Sequence, residues 1–260
     1  MRRILISTFL LASTAYAAVA ADLPSEKAAP VYIPPAPVFT WTGFYLGVYG
    51  GGVFGTSNVT GPVGPFASNA YNQSPNGGAL GGLVGYNFQF NPNWVIGLEG
   101  EGGWQGVTAT NTLVSATSNS AFTQTAETSY SARIRGRLGY ALGARALFFV
   151  AGGVSFTDVN LKLNTLTIVD GPYSIRNNLV GWNIGGGVDY AFTPNWIGRV
   201  EYIYDNYGSQ NYAFANLPIV GGAAAIGYAD RSVSLQASTI RGALIYKFGA
   251  PVEAPVVARY

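Results

Sequence analysis

Residues 130–140 read Tyr-Ser-Ala-Arg-Ile-Arg-Gly-Arg-Leu-Gly-Tyr, with arginine at every second position from 133 to 137. Ala132, Ile134, Gly136, Leu138 and Tyr140 fill the places between and beyond. Only a strand sends successive side chains to opposite faces, so a period of two that sorts charge from apolar surface demands β-structure. A strand with one wholly apolar face and one cationic face must meet hydrocarbon on the first and enclosed counter-charge on the second. Few folds offer both environments at once.

Segments of this kind recur along the chain. The pattern predicts eight strands, over residues 44–55, 78–90, 94–104, 130–140, 146–157, 179–192, 196–205 and 233–248. Their lengths suit tilted membrane-crossing strands of about 9–11 residues. Three connections are tight, at Asn91-Pro92-Asn93, residues 141–145 and Thr193-Pro194-Asn195. Four are long, at 56–77, 105–129, 158–178 and 206–232. Eight strands with both ends on one side need three turns on that side and four loops on the other. The expected fold is all-β: an eight-stranded antiparallel up-and-down transmembrane barrel with short periplasmic turns and longer external loops. Phe90-Asn91-Pro92-Asn93-Trp94 and Phe192-Thr193-Pro194-Asn195-Trp196 are near repeats, read as a favoured turn used twice.

Where charge is present it orients the faces. Trp94, Ile96, Leu98, Gly100, Gly102 and Trp104 share one face of their strand, against Glu99 and Glu101. Val180, Trp182, Ile184, Val188 and Tyr190 oppose Asp189. Val200, Tyr202 and Tyr204 oppose Arg199, Glu201 and Asp205, and Ile240, Leu244, Tyr246 and Phe248 oppose Arg241 and Lys247. The first and fifth strands are apolar on both faces, which leaves their orientation open. An ionised side chain facing lipid costs about 2–4 kcal/mol near the midplane. The six basic and five acidic residues are therefore expected inside: Glu99, Glu101, Arg133, Arg135, Arg137, Asp189, Arg199, Glu201, Asp205, Arg241 and Lys247. An eight-stranded barrel is just wide enough for side chains to fill it. The interior should thus be plugged by an ion-pair network, with Glu99 and Glu101 pairing Arg133, Arg135 or Arg137. Phe90, Trp94, Tyr140, Phe192, Trp196 and Phe248 cluster by the short turns and the barrel's end, as a periplasmic aromatic girdle would.

Composition agrees with export and lipid contact. Charged residues are 10% of the chain against roughly 25% in ordinary soluble domains. Arg2 and Arg3, the apolar run from Ile4 to Leu11 and the small residues to Ala20 and Ala21 read as a secretory signal cleaved after one of those alanines. Without Arg2 and Arg3, basic and acidic residues number 12 each, which gives no basic field for nucleic acid. With no Cys and no His, neither a thiol or Cys/His metal site nor a His-based triad is available; no cofactor and no catalytic residue is assigned. Gly50 to Gly55 fits a nucleotide-binding glycine spacing, but no helix pattern follows it, as such a site requires. The expected division is a signal at 1–20, a Pro-rich periplasmic linker at 21–40 (Pro24, Pro30, Pro34, Pro35, Pro37), the barrel at 41–248 and a tail at 249–260.

Ala21-Asp22-Leu23-Pro24, Trp41-Thr42-Gly43-Phe44-Tyr45, Gly85-Tyr86-Asn87-Phe88, Arg135-Gly136-Arg137-Leu138-Gly139-Tyr140 and Tyr246-Lys247-Phe248 follow one another in that order. In this the chain resembles the alphaproteobacterial porin-like outer-membrane surface-antigen family, which carries the outer-membrane β-barrel domain. The resemblance implies insertion by the outer-membrane assembly machinery, which recognises a closing strand that ends in an aromatic. Here Phe248 is followed by Gly249 to Tyr260, and Ala243 stands where relatives often have Gly. The expected function is a structural envelope and surface protein, in contact with outer-membrane lipid and lipopolysaccharide, of a Gram-negative bacterium. The alternatives are a small diffusion porin, which the family name suggests, and a receptor for a ligand such as haem, which some relatives suggest. The apolar loop at 217–229 is expected either to make external contacts or to fold over the barrel mouth. No oligomeric state follows from the sequence.

Overall fold

A computed structural model describes residues 39–60, 70–114, 121–165, 173–212 and 231–249. The expected signal, most of the linker, most of the tail and the apolar loop at 217–229 lie outside these residues. Among the described residues the regular structure is β-strand throughout: β1 Gly43–Thr60, β2 Ala70–Gln73, β3 Asn76–Gln89, β4 Trp94–Val114, β5 Ala121–Leu142, β6 Ala146–Thr165, β7 Tyr173–Ala191, β8 Trp196–Tyr212 and β9 Arg231–Lys247.

Every pairing is antiparallel. β1 and β3 to β9 pair in sequence order, and β1 returns to β9 from Tyr45↔Lys247 to Thr60↔Ser232, closing an eight-stranded ring. Closure leaves no unpaired edge to expose backbone polar groups to hydrocarbon. The short β2 stands outside that count; it pairs only with the outer end of β1, from Ser57↔Gln73 to Thr60↔Ala70.

The long connections expected from the sequence are largely strand. β4 and β5 pair from Trp94↔Tyr140 to Val114↔Ala121, through most of the span 105–129. β6 and β7 continue likewise to Leu163↔Tyr173. Polar residues outside hydrocarbon suggested loops, but threonine and valine favour strands and a ladder once started can propagate into water. Thr110–Thr125 and Thr112–Thr123 hydroxyl pairs, each 3.3 Å apart, tie the outer part of β4 to β5. The ring therefore rises well beyond an apolar band about 25 Å tall.

The periplasmic turns have a local reason to repeat. The Asn93 side-chain amide donates to the Ala141 carbonyl at 3.0 Å and that of Asn195 to the Lys247 carbonyl at 2.9 Å. Each Asn-closed turn thus satisfies the end of a neighbouring strand. Between them, residues 143–145 turn on Gly143 at φ 68°, a conformation that costs glycine nothing.

Candidate functional site

Outward and inward residues alternate as the charge pattern requires. Leu98, Ile134, Leu138, Ile184, Val200 and Ile240 face outward. All eleven charged residues singled out from the sequence are buried inside. The two strands left open also orient: Phe44, Leu46, Val48, Phe148 and Val150 face lipid, while Tyr45, Tyr49, Leu147 and Phe149 point inward. Phe90, Trp94, Tyr140, Phe192, Trp196 and Phe248 lie on the outer surface at the turn end. Trp94 packs edge-on against Tyr140, and Trp196 against Tyr246, at 5.2 Å between ring centroids. A second aromatic set, not anticipated, faces outward toward the loop end: Trp104 opposite Tyr130, and Trp182 beside Tyr204 at 5.8 Å.

Ten of the buried charges form one layer across the lumen. Arg133 holds both oxygens of Asp205 at 2.8 Å and reaches Glu101 at 2.6 Å. Arg135, fully buried, contacts Glu201 and Glu99 at 2.5 Å and Glu101 at 3.2 Å. Arg199 chelates Asp189 at 2.7 and 3.1 Å and donates to Glu99 at 2.6 Å. Arg137 donates to Asp189 at 2.8 Å. Arg241 bridges Glu201, at 2.8 Å, and Glu101. Of the cross-strand pairs expected for the two glutamates, Glu99 meets Arg135 and Arg137 and Glu101 meets Arg133 and Arg135, and the layer draws on five strands, β4, β5, β7, β8 and β9. Five guanidinium groups meet five carboxylates, so the layer is electrically balanced. Planar, forked guanidinium groups suit such shared pairing better than ammonium groups would.

Lys247 stands apart. Among the described residues its ammonium has no carboxylate partner; it donates to the Thr42 carbonyl at 3.5 Å and lies 5.3 Å from the Phe39 ring centroid. It belongs to the periplasmic mouth, beneath the ion-pair layer. There Trp41 is buried with Val95, Ala141, Leu147, Ala191, Ile197 and Ile245 and packs edge-on against Phe39 at 5.0 Å. The Trp41 backbone N–H donates to the Gln89 side chain at 2.9 Å, which fixes the entry to β1.

Aromatic residues without charge complete the layer, and pairing rules alone could not find them. The Phe149 ring lies 4.2 Å from the Arg137 guanidinium and 4.8 Å from that of Arg199, a cation–π sandwich on β6. Tyr49 sits 4.3 Å from Arg241. The Tyr45 hydroxyl donates to Glu99 at 2.9 Å and accepts from Arg137 at 3.1 Å. These tyrosines lie along the inner wall over their partner glycines on β3: a Cβ added at Gly81 would sit 2.5 Å from the Tyr49 hydroxyl, and one at Gly85 would strike the Tyr45 ring. The inward glycines are therefore space for interior side chains. Chemically the arrangement can fill and insulate. Every carboxylate in it is engaged by arginine, and among the described residues no group of three or more potential ligands could hold a metal ion.

Comparison with known proteins places this architecture. The outer membrane protein beta-barrel domain matches residues 8–248. The 31 kDa outer-membrane immunogenic protein of Brucella melitensis is 28% identical over 228 residues, 81% of this chain and 89% of that protein. The 22 kDa outer membrane protein of Rhizobium leguminosarum bv. viciae is 27% identical over 204 residues, 78% of this chain and 79% of its own. Among solved structures, outer membrane protein OprG from Pseudomonas aeruginosa aligns with a TM-score of 0.44 at 11% identity, covering 80% of this chain and 97% of that one. Neisserial surface protein A aligns with a TM-score of 0.41 at 12% identity, covering 80% and 98%. With a family match across nearly its whole length and a closed antiparallel ring whose apolar face points outward, the chain belongs to the outer membrane protein beta-barrel domain family and is a protein of the Gram-negative outer membrane.

Proposed function

We propose that this barrel is a structural envelope and surface protein, without catalytic activity, whose lumen passes no solute. The observation that carries this reading is the balanced layer of five arginines and five carboxylates across the lumen. An eight-stranded ring leaves room for little more than its own side chains, and here these are mutually paired. The strands that rise above the apolar band carry the external loops to the cell surface, and relatives in Brucella are named as immunogenic. In this reading residues 1–20 are the export signal, 21–40 a periplasmic linker, 41–248 the barrel and 249–260 a tail, with lipid, lipopolysaccharide and the outer-membrane assembly machinery as partners.

A deletion strain tests the envelope role. Loss of the protein should sensitise cells to detergent, and the intact gene should restore resistance. Unchanged sensitivity in the deletion strain would remove the role. Swelling of proteoliposomes in sugar solutions tests the sealed lumen separately: the protein should add nothing to the rate seen with empty liposomes.

A further inference from the structure

The outward face of β7 sets a height scale. From Tyr190 to Val180 its outward residues are aromatic, aliphatic or glycine. At about 3.4 Å per residue and a tilt of about 40° they rise about 26 Å, the height of the apolar band. Asn178 is the first polar residue beyond, and the Tyr130 hydroxyl meets its side chain at 3.4 Å. Arg176 follows, about 10 Å above Val180 on the same scale. Arg176 faces Asn160 across the ladder, and Lys162 on the same face of β6 is its diagonal neighbour, so their backbones lie about 7–8 Å apart. Two long side chains at that spacing can reach one group between them. Among the side chains described, these two are the basic groups outside the lumen beyond the band. Arg176 is 61% exposed, and its one carboxylate neighbour, Asp158, is 3.6 Å away. Asp158 is itself withdrawn from the surface, where its Oδ1 accepts from the Ser129 and Tyr130 N–H groups at 2.8 and 3.1 Å. Lys162, 43% exposed, meets Glu127 at 2.5 Å. Exposed pairs of that kind contribute little to stability, which leaves the ammonium able to turn to a second acceptor.

We propose that Lys162 and Arg176 together clamp a phosphate on the headgroup sugars of lipopolysaccharide and so fix the glycolipid against the β6–β7 sector of the barrel. This site rests on the reading of lipopolysaccharide as a partner and gives that contact a place. Below Val180 the outward face of β6 and β7 lies against acyl chains. The same face continues upward without a break in the ladder, so the headgroups of those lipids stand against it about 10 Å higher. In the outer leaflet these headgroups are phosphorylated sugars. The guanidinium fork of Arg176 suits a phosphate bidentately, and the Lys162 ammonium adds a compact charge beside it. Thr125 and Ser174 flank Lys162 across the two ladders and are neutral, hydroxyl-bearing neighbours for the sugars.

The test is native mass spectrometry of the full chain folded in detergent micelles, titrated with bisphosphorylated lipid A and with its dephosphorylated form. The phosphorylated lipid should bind at least fivefold more tightly. Lys162→Gln/Arg176→Gln should remove that preference and leave the affinity for the dephosphorylated lipid unchanged. Arg145→Gln, at an exposed cation in a periplasmic turn, should keep it. Heat-modifiable gel mobility confirms that each variant is folded. The site is overturned if the double variant retains the preference, or if Arg145→Gln loses as much of it, as general charge attraction would require. It is overturned equally if the unsubstituted protein binds both lipids alike; lipopolysaccharide then remains a partner without a phosphate clamp. Absence of binding to either lipid removes the partner as well as the site, so the two failures are told apart.

Discussion

Arg135 is the most demanding residue in the barrel to replace. Its guanidinium is wholly buried and contacts Glu99, Glu101 and Glu201, two of them at 2.5 Å. Arg135→Ala deletes one positive charge and leaves the layer with an excess carboxylate sealed from water. Removing one partner of a buried pair costs about 3–5 kcal/mol, because the survivor stays buried and uncompensated. A loss of about 4 kcal/mol lowers the folding equilibrium constant by roughly a thousandfold. At an m-value of about 4 kcal/mol/M it moves the guanidinium midpoint down by about 1 M. Arg176→Ala is the control: that side chain is 61% exposed, 3.6 Å from Asp158, and its loss should cost about 0.5 kcal/mol or less. Arg135→Met/Glu201→Gln is the rescue. It restores charge balance and leaves Glu99 with Arg199, and Glu101 with Arg133 and Arg241. It should recover at least half of the lost stability. Equilibrium unfolding in detergent, followed by tryptophan fluorescence and by the heat-modifiable gel band, measures all three. If Arg135→Ala is no more damaging than Arg176→Ala, or the double variant is weaker than the single one, the reasoning about the interior is wrong.

Other consequences follow from which face a residue occupies. Leu98→Arg places a charge against hydrocarbon and should cost about 2–4 kcal/mol in the same unfolding assay. Gly85→Val drives a side chain into Tyr45 and, through it, against Glu99; overpacking of that kind costs about 1–3 kcal/mol. Gly100→Val faces lipid with nothing within 4 Å of the added Cβ, and its unfolding midpoint should stay level or rise. Brominated lipids should quench single-tryptophan variants that retain Trp94, Trp104, Trp182 or Trp196, all outward-facing, and should spare the variant that retains only Trp41, which is buried in the periplasmic mouth.

Charge made most of this architecture legible in the sequence. Wherever an arginine or carboxylate alternated with apolar residues, as at Arg133 to Arg137 or Glu99 and Glu101, the cost of charge in lipid settled the face. Where no charge stood, the pattern was silent. Tyr45, Tyr49, Leu147 and Phe149 are as apolar as their outward neighbours, so β1 and β6 could be oriented only by their pairing. Lys247 shows the converse: its parity placed it inside, but parity carries no height, and it lies at the mouth away from the ion pairs. Above the apolar band the outward face turns polar and threonine-rich while Val107, Val159 and Leu161 face inward, so the sorting of charge inside from apolar outside is lost and strand looked like loop. Irregular registers add to this. Between Glu127 and Ser131 β5 gains a residue on β6, and on its far side Gln124 and Arg133 both face inward although their positions differ in parity.

Current through single molecules in a planar bilayer tests most directly whether the paired charges seal the barrel. The layer from Glu99 to Arg241 predicts no steady open level at either polarity in protein shown by gel mobility to be folded. A sustained ohmic conductance from each inserted molecule would mean that ions pass between these side chains, and the sealed interior would have to be abandoned.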